Sequence, residues 1–161
     1  MTEPKPGRRR ASSLLAGLVL ALGSARAATA QTARDFAGTY DLVRVEALDD
    51  SGRWVTSTSL FGPDPVGIIM YDGIGSMSVH ISRRDRFRPG TSRTLVDGYM
   101  AYYGRYEVDA PRGVVIHRRE NHIDARQATV VAERAFAFDG DLLTLTVIPG
   151  RALRLVWRKR A

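Results

Sequence analysis

From Gly38 onward the apolar residues recur mainly at every second position, in short runs separated by turn residues. Such alternation is the mark of antiparallel strands with one buried face. It predicts strands at about 39–48, 54–60, 66–72, 76–82, 104–109, 113–120, 129–138, 142–148 and 152–159. The intervening turns carry explicit chemistry: Asp49 to Gly52, Asp72 to Gly75, Ala110 to Gly113 with Pro111 fixing φ, Asp139 with Gly140, and Pro149 with Gly150. One stretch breaks the period. Leu95, Val96, Tyr99, Met100 and Tyr103 share a helical face, which predicts a helix over 92–103. Ser92 would cap it and Gly98 would weaken it by about 1 kcal/mol relative to alanine, so it needs the sheet to pack on.

Eight or nine short strands joined by tight turns, with one short helix, favour an all-β protein, an up-and-down barrel that has no free edges. A β-sandwich is the alternative. No internal repeat or low-complexity tract divides the chain, so residues 31–161 are expected to form one domain.

The first thirty residues read differently. Arg8, Arg9 and Arg10 precede the apolar run Leu14 to Leu22, followed by small residues at Ala25, Ala27, Ala28 and Ala30. This predicts a secretory signal peptide cleaved after Ala30, and a mature protein in the periplasm or outside the cell. The apolar run is shorter than the ~20 residues a membrane-spanning helix needs. The paired arginines leave general secretion and twin-arginine export both open.

Removing that leader changes the meaning of the charge. The chain has 24 Lys plus Arg, 17 Asp plus Glu and a net charge of +7; five of the basic residues and one acidic residue precede position 31, leaving +3. Basicity is then no argument for nucleic acid. With no cysteine there is neither a disulfide nor a thiolate metal site, and the domain depends on its core.

Three segments are distinctive together: Gly38-Thr39-Tyr40 with Leu42-Val43; Phe61-Gly62-Pro63-Asp64-Pro65-Val66-Gly67-Ile68-Ile69-Met70-Tyr71 running into Ser76-Met77-Ser78-Val79; and Tyr99 through Val108. Asp139 to Leu145 and Leu155-Val156-Trp157 extend the set. It resembles the bacterial and fungal family of lipocalin-like domains, over roughly residues 36–159. The resemblance implies a calycin-type barrel with a ligand cavity, in a family mostly without an assigned activity, and it carries over no catalytic residue. Lipocalins proper place Gly-X-Trp on the first strand beneath an arginine from the last. Here the triplet ends in Tyr40, with Arg154 or Arg158 as the expected partner, a weaker contact than over Trp.

His80, His117 and His122 are the only histidines. A three-histidine zinc site or haem ligation would need them to converge, and strand alternation separates them, so neither metal nor cofactor is expected. His80 shares its strand face with Ser76 and Ser78, and His117 shares one with Val115 and Arg119. Tyr71, Tyr99, Tyr102, Tyr103 and Tyr106 cluster near one hairpin and the predicted helix, as an aromatic pocket wall or as ordinary packing. Arg83 to Pro89 forms a basic loop whose use would be an anionic group at the barrel mouth rather than nucleic acid. Hydrolase, nucleotide-binding and zinc-protease motifs are missing.

These readings converge on an exported barrel that binds a small hydrophobic or amphipathic molecule, with His80, Tyr106, His117 and Arg134 as polar contacts, Tyr71 and Tyr99 as aromatic ones, and the helix near Tyr99 as a lid. One alternative is a barrel isomerase or cyclase acting on a polyketide- or polyene-like substrate, with His80, His117, Glu120, Tyr106 and Arg134 as acid–base candidates. Another is an envelope protein whose barrel is filled by its own side chains. Oligomeric state is not encoded in any of these patterns.

Overall fold

The computed structural model describes residues 32–86, 88 and 97–161. A four-residue helix, α1 (Ala33–Phe36), leads into β1 (Gly38–Leu48), β2 (Trp54–Thr56), β3 (Pro65–Tyr71), β4 (Ser76–Arg83), β5 (Tyr99–Asp109), β6 (Val114–His122), β7 (Val131–Asp139), β8 (Leu142–Ile148) and β9 (Leu153–Lys159). A single 3-10 turn at Ala125–Gln127 precedes β7. Neighbouring strands pair antiparallel in chain order, except that β2 lies outside β1 and β3 pairs with β1 directly. Pairing of β1 with β9 closes the sheet, so β1 and β3 to β9 form an eight-stranded barrel with β2 as an extra strand. None of the helices is long and apolar enough to cross a membrane, among the described residues.

The period-two pattern sorts side chains as expected. Met77, Val79 and Ile81 of β4, Tyr102 and Tyr106 of β5, Val115 of β6, Leu143 and Leu145 of β8, and Leu155 and Trp157 of β9 are buried in one interior cluster. At one end α1 turns inward and plugs the barrel. Phe36 is 0% exposed and meets Tyr71, Phe136 and Phe138 edge-on at 5.0–5.3 Å between ring centroids. The Tyr40 hydroxyl donates to the Phe36 carbonyl at 3.0 Å, and the Tyr106 hydroxyl lies 2.9 Å from the Ala33 carbonyl oxygen and 2.5 Å from that of Asp72. The longer connections, after β2, β4 and β6, leave the strands at the other end.

Three expectations are corrected. Tyr99 to Tyr103 are not helical but begin β5, while Ser92, Leu95 and Val96 lie outside the described residues. Positions one, four and five apart satisfy a helix, yet Met100, Tyr102, Gly104 and Tyr106 also satisfy a strand with one inward face, and pairing to β4 and β6 decides for the strand. The second strand is shorter than expected, ending at Thr56, because beyond Ser57 the chain leaves β1 to reach β3. Lys159, rather than Arg154 or Arg158, is the cation over Tyr40, 5.7 Å from its ring centroid. Arg154 lies over Trp54 and bonds Glu46, and Arg158 pairs with Asp141.

The β5–β6 ladder slips by one residue between Tyr103 and Gly104. A Cβ at Gly104 would strike the Arg118 carbonyl oxygen and approach the Glu120 nitrogen to 2.8 Å, both backbone atoms that cannot rotate away. Gly104→Ala is therefore expected to cost about 2 kcal/mol or more in chemical unfolding, with Gly113→Ala, whose added Cβ meets nothing, as the control for backbone strain alone.

Candidate functional site

Inside the barrel, between the Phe36 plug and the looser end, lies a polar group that strand alternation delivers to one place. His117 of β6 is 1% exposed. Its Nε2 lies 2.8 Å from the Tyr71 hydroxyl of β3, and its Nδ1 lies 3.0 Å from the Tyr102 hydroxyl of β5. Burial, reinforced by the charges of Arg134 and Arg119, pushes the His117 pKa down to about 3, so the ring is neutral. Burial also raises both tyrosine hydroxyls above their ordinary value, so they stay protonated.

Proton counting constrains this triad. A neutral imidazole offers one N–H and one lone pair, so one tyrosine must donate to it and the other must accept from it. The accepting tyrosine keeps its own O–H, and no other described side chain takes it. Whichever tautomer is present, one hydroxyl proton is left for something else in the lumen.

Two arginines flank the triad. Arg119 follows His117 by two residues on the same strand face. Arg134 of β7 stands two residues from Ala132, the direct cross-strand partner of His117, and so occupies its diagonal neighbour position. Both are half-buried. The Arg119 guanidinium lies 4.5 Å from the Tyr102 ring centroid and donates from Nη1 to Gln127 Oε1 at 3.1 Å, but its buried Nε has no partner. Arg134 donates from Nη1 to the Glu133 carbonyl at 2.8 Å. The buried Trp157 Nε1 is also unpartnered. Neither arginine pairs with a carboxylate among the described residues, although eleven ion pairs lie elsewhere on the barrel.

The sequence-predicted residues therefore divide. Tyr71, His117 and Arg134 come together in the lumen. Tyr106 is inward, but its hydroxyl is occupied in holding α1. His80 and Tyr99 do meet, Nδ1 to hydroxyl at 3.0 Å, but on the outer wall, where His80 is exposed because its neighbours Val79 and Ile81 take the inner face. His80 there lines an external groove of about 300 Å³ with Ser78, Ala101, Tyr103 and Asn121. His122, stacked on Tyr102 at 5.8 Å, sits at the end of β6. The three histidines thus occupy the lumen, the rim and the outside. In the basic loop Arg83 and Arg84 are paired with Asp85 and Asp64. Tyr102 and Arg119 are site residues that sequence reasoning did not select, though Arg119 shares the parity of His117 and Tyr102 that of Tyr106.

At the looser end a cleft of about 380 Å³ is lined by Leu60, Phe61, Tyr99, Met100, His122 and Ile123, among others. Met100, which lines this cleft, and Phe136, Val147 and Leu153 of the inner face pack on the core yet remain partly exposed. A lumen with apolar walls, a few fixed polar groups and a mouth at one end has the make-up of a small-molecule site.

The sequence model of a family described as a lipocalin-like domain matches residues 37–159. Comparison with curated proteins and with solved structures finds no match.

Proposed function

We propose, since the chain belongs to the lipocalin-like domain family, that its barrel binds a small hydrophobic or amphipathic molecule, taken up through the end opposite α1. The observation that carries this is the Tyr71–His117–Tyr102 triad, whose one unused hydroxyl proton lies, with Arg119 and Arg134, among mainly apolar inward side chains. A few polar donors fixed in an apolar pocket orient a ligand without reacting with it. The depressed basicity of His117 favours this over acid–base turnover, because a ring with a pKa of about 3 takes no proton from a substrate at neutral pH. Export through the N-terminal leader, with cleavage after Ala30, belongs to the same proposal.

Native mass spectrometry of the protein purified from its own host tests both parts at once. The expected spectrum shows a polypeptide beginning at residue 31 and carrying a stoichiometric adduct of a few hundred daltons that organic extraction releases. A chain retaining Met1 to Ala30 overturns export. An unliganded barrel whose melting temperature no fatty acid, polyene or aromatic compound shifts overturns binding in favour of a barrel filled by its own side chains.

A further inference from the structure

Arg119 and Arg134 raise a problem of charge that ligand binding in the lumen alone does not solve. Every inward position of the eight barrel strands is apolar, glycine, tyrosine, histidine, tryptophan, arginine or, at the end of β9, Lys159; none is Asp or Glu. The acidic residues of those strands, Asp41, Glu46, Glu107, Asp109, Glu120, Glu133 and Asp139, stand at the other positions, and several hold arginines on the outer wall. Two half-buried guanidinium groups thus stand on the inner face with no carboxylate beside them among the described residues, and the cost of their partial desolvation falls if something supplies a counter-charge. Their free donors point the same way. Arg119 has a buried Nε–H with no acceptor, Arg134 spends one N–H on the Glu133 carbonyl, and the tyrosine that accepts from His117 keeps its O–H. All are donors, and every acceptor they lack would be met by one anionic group.

We infer that the ligand is an anionic amphiphile, whose carboxylate or phosphate head lies between Arg119 and Arg134 beside the Tyr71–His117–Tyr102 triad and whose apolar part extends past Phe136, Val147 and Leu153 to the mouth. This rests on the lumen being a binding site, as proposed above. The planar fork of an arginine suits either head, and a low-dielectric wall strengthens the contact.

Calorimetric titration of the purified full chain with dodecanoate, dodecyl phosphate, 1-dodecanol and acetate separates the possibilities. The expected result is that at least one of the two anionic amphiphiles binds about tenfold or more tighter than 1-dodecanol, as charge-assisted hydrogen bonds require, with acetate far weaker. The ratio of dodecanoate to dodecyl phosphate identifies the head. Arg134→Gln should erase that preference while leaving the 1-dodecanol affinity in place, and Arg119→Gln provides a second reading should the first variant fold poorly. Equal binding of 1-dodecanol and the anions overturns the anionic head but leaves lumen binding standing. Acetate as tight as dodecanoate overturns the amphiphile. No binding by any of the four, with no adduct on the host-purified protein, removes the lumen reading and this inference with it.

Discussion

Phe36→Ala should lower the unfolding free energy by about 3–5 kcal/mol, the range for truncating a buried phenylalanine, and the melting temperature by about 10–20 °C. The side chain is 0% exposed, and four rings surround it, those of Tyr71, Tyr106, Phe136 and Phe138. The loss is more than a cavity. Phe36 is the anchor of a helix too short to persist alone, and once α1 lifts, the hydroxyls of Tyr40 and Tyr106 lose their carbonyl partners in Phe36 and Ala33. Urea denaturation followed by circular dichroism measures it, with Arg34→Ala on the exposed side of α1 as the control. A change under about 1 kcal/mol would mean that the barrel end closes without α1.

Stability should fall steeply as the medium becomes mildly acidic, because of His117. Its folded pKa of about 3 lies below the ordinary histidine value of 6.5, so between the two the unfolded chain binds the proton and the folded one does not. The stabilisation is fully present above pH 6.5 and is lost as pH drops toward the folded value. At roughly 1.4 kcal/mol per pH unit, about 2–3 kcal/mol disappears between about pH 6.5 and 4.5. Protonation there would also place a third positive charge beside Arg119 and Arg134 and force both tyrosine hydroxyls to accept from the ring, since an imidazolium can only donate. Carboxylates held low by arginine partners, such as Asp41 and Glu46, titrate below this window. His122, lowered by partial burial and by Arg119, adds a smaller slope of the same sign. Denaturant midpoints across the window check the effect. His117→Gln should be less stable at neutral pH and nearly flat in pH, and His122→Gln should keep most of the slope; a wild-type curve as flat as that of His117→Gln would show that the ring is not held neutral.

Strand positions were legible because the sheet's own period is local, but the inward faces were not: alternation separates Val79 from His80 without saying which of them lines the lumen. The turns were legible for the same reason. What failed was the segment around Tyr99, where the spacings of a helix and of a strand coincide over a few residues and only pairing with β4 and β6 separates them. The plug was not visible either, since four residues carry no periodicity and the burial of Phe36 arises from rings up to about a hundred positions away. The site was half legible. His117 and Arg134 were among the residues named, but the bond of His117 to Tyr71 spans 46 residues and exists only once the sheet has rolled up. His80 and Tyr99 show the converse: aromatic and polar types suited to a pocket, set by parity on the wrong side of the wall.

The seam between β1 and β9 also sets an order of events in time. Tyr40 pairs with Lys159, and the Arg160 amide donates to the Thr39 carbonyl, so the first barrel strand finds its second neighbour only when the last has been synthesised. Until then β1 to β8 form at best an open sheet with two raw edges, prone to pairing with another chain. Protection of those edges thus falls on the seven residues of β9: a chain interrupted before Leu153 has every group of the Tyr71–His117–Tyr102 triad and no barrel to hold them in.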